Sequence, residues 1–150
     1  MEKSEIKHLI QEQILCRIAF KGKEYPYIAP FQYKLLDGKL YFHFTNYGKK
    51  MKLIEKDNRV CVEIEMYLPD LSEYCFVTMR GNLKIVMDHK ERERVIEKMA
   101  EDGKEKLSNN FLAVHGINPI EDWRSFTPKK PFVIVMLEDI VEVVGLKSPA

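Results

Sequence analysis

An imbalance of charge is the first thing this sequence lacks. Lys and Arg number 24 against 23 Asp and Glu, a formal net charge of +1, so no global field marks the chain as a nucleic-acid binder and any anion site has to be local. Long apolar runs are missing as well. No stretch approaches the roughly 18 apolar residues that suggest a membrane span, and residues 1–15 are amphipathic and charged, without the apolar run of a signal peptide. The expectation is a soluble cytoplasmic protein with neither membrane nor nucleic acid among its partners. Cysteine is scarce: Cys16, Cys61 and Cys75 are odd in number and lack CxxC spacing, which argues against a disulfide framework or a zinc site and for buried free thiols. Catalytic templates are absent too. There is no GxSxG elbow, no Walker A or GxGxxG loop, no HExxH, and neither internal repeats nor low complexity.

What is present fits one domain, since 150 residues can bury most of a hydrophobic core. Ile6, Leu9 and Ile10 recur at helical spacing over 4–13, with Ser4 as the expected N-cap. A strand over 14–20 and a Lys21-Gly22-Lys23 turn precede a second strand, Tyr25 to Leu35. Asp37-Gly38 is a hairpin signal. It leads into Lys39–Thr45, where a period of two sets Leu40, Phe42 and Phe44 on a core face and Tyr41, His43 and Thr45 on a polar face. A helix from Gly48 to near Asp57-Asn58, a strand from Arg59 to Met66, and a long strand from Tyr74 to Met87 with Gly81 marking a bulge or a close backbone approach come next. Asp88 caps a helix of about 14 residues whose apolar stripe is Val95, Ile96 and Met99. Residues 103–130 read as short helical pieces and loops, and the closing strand runs from Phe132 to Val144, ending at Gly145. The fold class is mainly β with short helices, a barrel or curved sheet of about six strands.

The chemically suggestive stretch is His43 to Met51. A strand face bearing His43 and Thr45 runs into Gly48-Lys49-Lys50 at the start of a helix, and a helix N-terminus flanked by lysines is a phosphate site in outline. Solvated lysines and a structural histidine are the competing explanations. His8, His89 and His115 lie in separate segments and read as surface residues.

The order of Cys16-Arg17-Ile18-Ala19-Phe20, Tyr25-Pro26-Tyr27-Ile28-Ala29-Pro30, Asp37–His43, Gly48-Lys49-Lys50, Asn58-Arg59-Val60-Cys61 and Val77-Thr78-Met79-Arg80-Gly81 resembles the FMN-binding split-barrel superfamily. That superfamily is related to pyridoxamine 5′-phosphate oxidase, and the likeness is greatest to its nitroimidazole-reductase-like branch. The resemblance implies a split β-barrel of about six antiparallel strands, a homodimer, and two FMN sites along the subunit interface. It further implies that Thr45, Lys49 and Lys50 hold the phosphate, that the backbone of Ile28, Ala29, Pro30 and Phe31 lines the isoalloxazine edge, and that His43 faces flavin or substrate and donates a proton. The activity implied is an oxidoreductase passing electrons or hydride from NAD(P)H to a small acceptor, nitroaromatic or quinone-like. Alternatives on the same scaffold are an electron carrier without a dedicated substrate, a deazaflavin protein, and a haem protein using a histidine as axial ligand. Arg80 is placed either beside the cofactor or in a surface ion pair, and Trp123 with Phe126 either as an aromatic lid or as a core anchor. Two departures stand out. Phe76 occupies a position where relatives often carry Ser or Gln, and no arginine-rich substrate-phosphate signature precedes the C-terminus, which disfavours pyridoxamine-phosphate oxidation itself.

Overall fold

In the computed structural model, which describes residues 1–46 and 48–150, six strands close a barrel in the order β1-β2-β3-β6-β5-β4, every neighbouring pair antiparallel. The strands are β1 (Leu15–Phe20), β2 (Tyr27–Leu36), β3 (Lys39–Phe44), β4 (Arg59–Tyr67), β5 (Tyr74–Ile85) and β6 (Val133–Lys147). The Asp37-Gly38 turn between β2 and β3 has positive φ at both residues, 51° and 77°, the conformation that makes Asp-Gly a hairpin sequence. Alternation fills the interior: Ile18, Phe20, Phe31, Tyr33, Phe42, Phe44, Val62, Ile64, Val77 and Val135 converge on one core.

The expected bulge at Gly81 is present. β5 and β6 are in register from Cys75 to Arg80 and again from Asn82 to Ile85, with a shift between Arg80 and Asn82. A Cβ on Gly81 would stand 2.7 Å from the Glu138 carbonyl oxygen, so the strands approach more closely there than any other residue allows. β6 kinks at Asp139, φ 51°, and continues through Gly145 to Lys147, three residues beyond the expected end.

Helix α1 (Lys3–Glu12) buries Leu9 and Ile10. Its N-cap is Glu2 and not Ser4, because Glu5 reaches back to accept from the Glu2 backbone N–H at 2.7 Å. Helix α2 (Lys49–Lys56) closes one barrel end through Ile54. Helix α3 (His89–Lys106) starts at Asp88, whose side chain accepts from the Glu91 N–H at 2.9 Å. It runs 18 residues, longer than expected, and carries Gly103 packed against the Trp123 ring. Three 3-10 turns follow, Asn109–His115, Pro119–Glu121 and Trp123–Ser125.

A second core lies outside the barrel. Tyr41 and Ile134, on the outer side of β3 and β6, pack with Val95, Ile96 and Met99 of α3 and with Leu112, Ile117, Trp123, Phe126 and Phe132. The expected polar face of β3 is therefore a buried one: Tyr41 and His43 are both enclosed. Trp123 and Phe126 are fixed inside this lobe as anchors, and no lid is formed by them.

Candidate functional site

The site begins where β2 and β3 part. Over Tyr27–Gln32, β2 stays paired to β1, whereas its ladder with β3 starts only at Tyr33 opposite Phe42. Phe31 and Phe44 still meet across the gap, with stacked rings 4.9 Å apart. Helix α2 lies over this opening. The Lys49 ammonium sits 5.3 Å from the Tyr27 ring centroid and the Lys50 ammonium 5.0 Å from that of Phe31. Phe31, Lys49 and Lys50 of the expected cofactor residues are thus brought together, with Ala29 on the same face of β2 as Phe31, whereas Ile28 faces outward and is exposed. Pro30 is exposed on the same side as Ile28, and Thr45 follows directly on β3. Tyr47, inside the His43–Met51 stretch, lies outside the described residues.

The start of α2 is electrostatically inverted. Gly48 takes φ 96°, no side chain caps the helix among the described residues, and its first turn holds lysines and no acidic residue. Cations beside unpaired N–H groups repel the positive end of the helix dipole. An anion would relieve that repulsion. Lys50, half-buried, has its ammonium pushed below the usual lysine range by loss of solvent.

On the other side of β3 the structure joins residues that sequence reading kept apart. His115, expected at the surface, is buried, and its Nδ1 lies 2.7 Å from His43 Nδ1. His115 Nε2 lies 2.8 Å from Gln32 Oε1, and Gln32 Nε2 donates to the Met99 carbonyl at 3.0 Å. His43 is 5% exposed and is flanked by the rings of Phe132 and Phe126, with centroids at 4.4 and 5.5 Å. Burial first, then the neighbouring positive charge of His115, Lys50 and Arg92, lowers the His43 pKa to about 2. Burial and Lys50 lower that of His115 to about 4. Both rings are neutral at pH 7. A neutral His43 ring whose Nδ1 is engaged by His115 has no imidazolium proton to give at pH 7.

Gln32 was missed in the sequence, although a signal existed: it is the one polar side chain between Phe31 and Tyr33 in an apolar strand, on the face opposite theirs. Arg80 takes its surface alternative, with Nη2 2.7 Å from Glu142 Oε2. His8 and His89 are exposed. Cys16 is buried, while Cys61 and Cys75 are half-buried free thiols. Among the described residues no cluster of three or more His, Cys, Asp or Glu is placed to hold a metal ion. A cleft of about 500 Å³ is lined by residues such as Asp57, Arg59 and Leu83 and shares only the far end of α2 with this site.

The sequence model for pyridoxamine 5′-phosphate oxidase matches residues 2–116. Among solved structures, a FAD-binding protein from Mesorhizobium loti superposes with a TM-score of 0.71 at 18% identity, over 99% of this chain and 96% of that one. A conserved hypothetical protein from Mycobacterium tuberculosis reaches 0.75 at 16% identity, over 97% and 84%. A candidate 5-nitroimidazole antibiotic resistance protein from Bacteroides thetaiotaomicron reaches 0.66 at 16% identity, over 96% and 82%. These likenesses establish the split-barrel fold. No curated protein matches the chain significantly.

Proposed function

Because the chain belongs to the pyridoxamine 5′-phosphate oxidase family, we propose that it binds a flavin, FMN in the first instance, and acts as a flavin-dependent oxidoreductase. The observation that carries this reading is the convergence of Lys49 and Lys50, at a helix start that no side chain caps among the described residues, on the parted stretch of β2. Cations and unpaired backbone N–H groups at one end suit a phosphate. The parted stretch beside an exposed Ile28 suits the edge of a flat ring.

When bound, the flavin supplies the redox chemistry, accepting and passing on electrons or hydride. In this reading Lys49, Lys50 and Thr45 anchor the phosphate, and the backbone of Ile28, Ala29, Pro30 and Phe31 fixes the ring edge. The physiological reductant in this proposal is NAD(P)H and the acceptor a small nitroaromatic or quinone-like molecule. The FAD-binding proteins from Mesorhizobium loti and from Mycobacterium smegmatis that share this fold make FAD the cofactor to set beside FMN.

The test is titration of the purified protein with FMN and with FAD, followed by flavin absorbance and fluorescence, on wild type and on Lys49→Ala/Lys50→Ala. Saturable binding that the double variant weakens at least tenfold, about 1.4 kcal/mol, is the expected outcome. Equal binding by both proteins would remove the phosphate assignment, and no binding of either flavin would remove the cofactor. Turnover with NAD(P)H and menadione above the rate of free flavin separates an enzyme from a carrier.

A further inference from the structure

We propose that Gln32 and His115 are positioning residues that hold His43 as its Nδ1–H tautomer, presenting a bare Nε2 as acceptor for an N–H or O–H donor on the bound ligand. The tautomer half stands on the protein alone; the ligand half rests on the flavin reading. The chain of hydrogen bonds has one consistent direction. The Met99 carbonyl can only accept, so the Gln32 atom 3.0 Å from it is the amide nitrogen. The other end of that amide, Oε1, can then only accept, so His115 Nε2, 2.8 Å away, carries the hydrogen. A neutral His115 with a hydrogen on Nε2 has a lone pair on Nδ1. His43 Nδ1, 2.7 Å from it, must therefore donate, and a neutral His43 with its hydrogen on Nδ1 has a lone pair on Nε2.

Neutrality is what fixes the direction. A cationic His115 would donate from both nitrogens and drive the hydrogen of His43 onto Nε2. Burial and the ammonium of Lys50 hold His115 neutral, and the same two influences with Arg92 hold His43 neutral. The remaining nitrogen, His43 Nε2, is buried without a hydrogen-bond partner among the described residues. The rings of Phe126 and Phe132 beside it offer no polar hydrogen. Trp123 Nε1, also buried without a partner among the described residues, is a donor and is not bonded to it. An acceptor left empty in such surroundings is a place for one donor group. A ligand that brings an N–H or O–H there gains a bond, whereas one that brings a nitro or carbonyl oxygen meets a second lone pair.

The experiment is long-range ¹H–¹⁵N correlation of the histidine rings in ¹⁵N-labelled protein at pH 7, first without flavin. The expected pattern is His43 with a protonated Nδ1 and a bare Nε2, and His115 with the reverse. A hydrogen on His43 Nε2 would overturn the assignment. In Gln32→Leu, and in His115→Phe should the first variant fold poorly, the two His43 nitrogens move toward the averaged shifts of a mixed ring; an unchanged pattern would remove the positioning role. FMN is then added in its oxidised and dithionite-reduced forms. An upfield move of His43 Nε2 supports the acceptor role, and an unmoved Nε2 while the visible spectrum reports bound FMN overturns it. No binding of FMN removes the cofactor reading and the ligand half together, while the ligand-free pattern still decides the relay.

Discussion

At the scale of single residues, the buried histidine pair ties stability to pH with a definite sign. Unfolded, each ring titrates near 6.5; folded, His115 does so at about 4 and His43 at about 2. Above pH 6.5 both are neutral in either state and cost nothing. Below it the unfolded chain binds more protons, so stability falls as pH falls, approaching about 1.4 kcal/mol per pH unit for each ring. The fall slackens below about 4, where the folded His115 takes up its proton. Urea unfolding between pH 7 and 4 should show this slope in the wild type and a shallower one in His115→Gln; equal slopes would place the acid sensitivity elsewhere. Gly103 supplies a second test. A Cβ there would stand 2.3 to 2.5 Å from three Trp123 ring carbons, and that ring is enclosed. Alanine gains about 1 kcal/mol of helix propensity over glycine, but overpacking costs about 1–3 kcal/mol. Gly103→Ala should therefore lower the urea midpoint, where propensity alone would raise it.

At the scale of elements, Arg92 of α3 fastens the segment that covers His43. Its guanidinium donates to the carbonyls of Pro128, Lys130 and Phe132 at 2.8 to 3.1 Å. A lysine has one nitrogen and cannot reproduce that fork. Both Arg92→Ala and Arg92→Lys should destabilise, the alanine variant by about 2–3 kcal/mol, and amide exchange should quicken over residues 109–132. Exchange at the wild-type rate would mean that the aromatic side chains hold the segment unaided. The same segment marks where the sequence was legible. Barrel strands were readable because alternation is local, and the β2–β3 hairpin because Asp37-Gly38 states its own backbone conformation. The outer face of β3 was not, since Tyr41 and His43 are polar handles until α3 and residues 109–132 cover them, and nothing near them in sequence reports that cover. His115 read as a surface residue for the same reason: its partners, Gln32 and His43, lie 83 and 72 positions away. Lys49 and Lys50, by contrast, were readable at a helix start, although their approach to Tyr27 and Phe31 required the fold.

At the scale of the whole molecule, the outer side of the barrel carries the remaining expectation, the homodimer. Cross-strand register aligns Pro30, Arg17, Glu63, Thr78 and Val144 in one row and Ile28, Ala19, Cys61, Arg80 and Glu142 in the next. The charges on this face are engaged with one another, Arg17 with Glu63 and Glu65, and Arg80 with Glu142. Ile28, Val144 and Leu146 meanwhile stay 62%, 50% and 57% exposed. A face whose charges are mostly paired off, with exposed branched apolar side chains, suits a self-complementary contact between two copies, where strong like fields would otherwise repel. It is continuous with Ile28 and Pro30 of the candidate cofactor site, so pairing would also cover a ring lying along β2. Light scattering at micromolar concentration should give twice the chain mass, and Val144→Glu/Leu146→Glu should shift it to the monomer. If the cleft is shared between subunits, that variant also loses flavin affinity, whereas Lys49→Ala/Lys50→Ala loses flavin and keeps the dimer. A monomeric wild type would sink the dimer. A monomeric variant with undiminished flavin binding would instead confine the whole site to one chain.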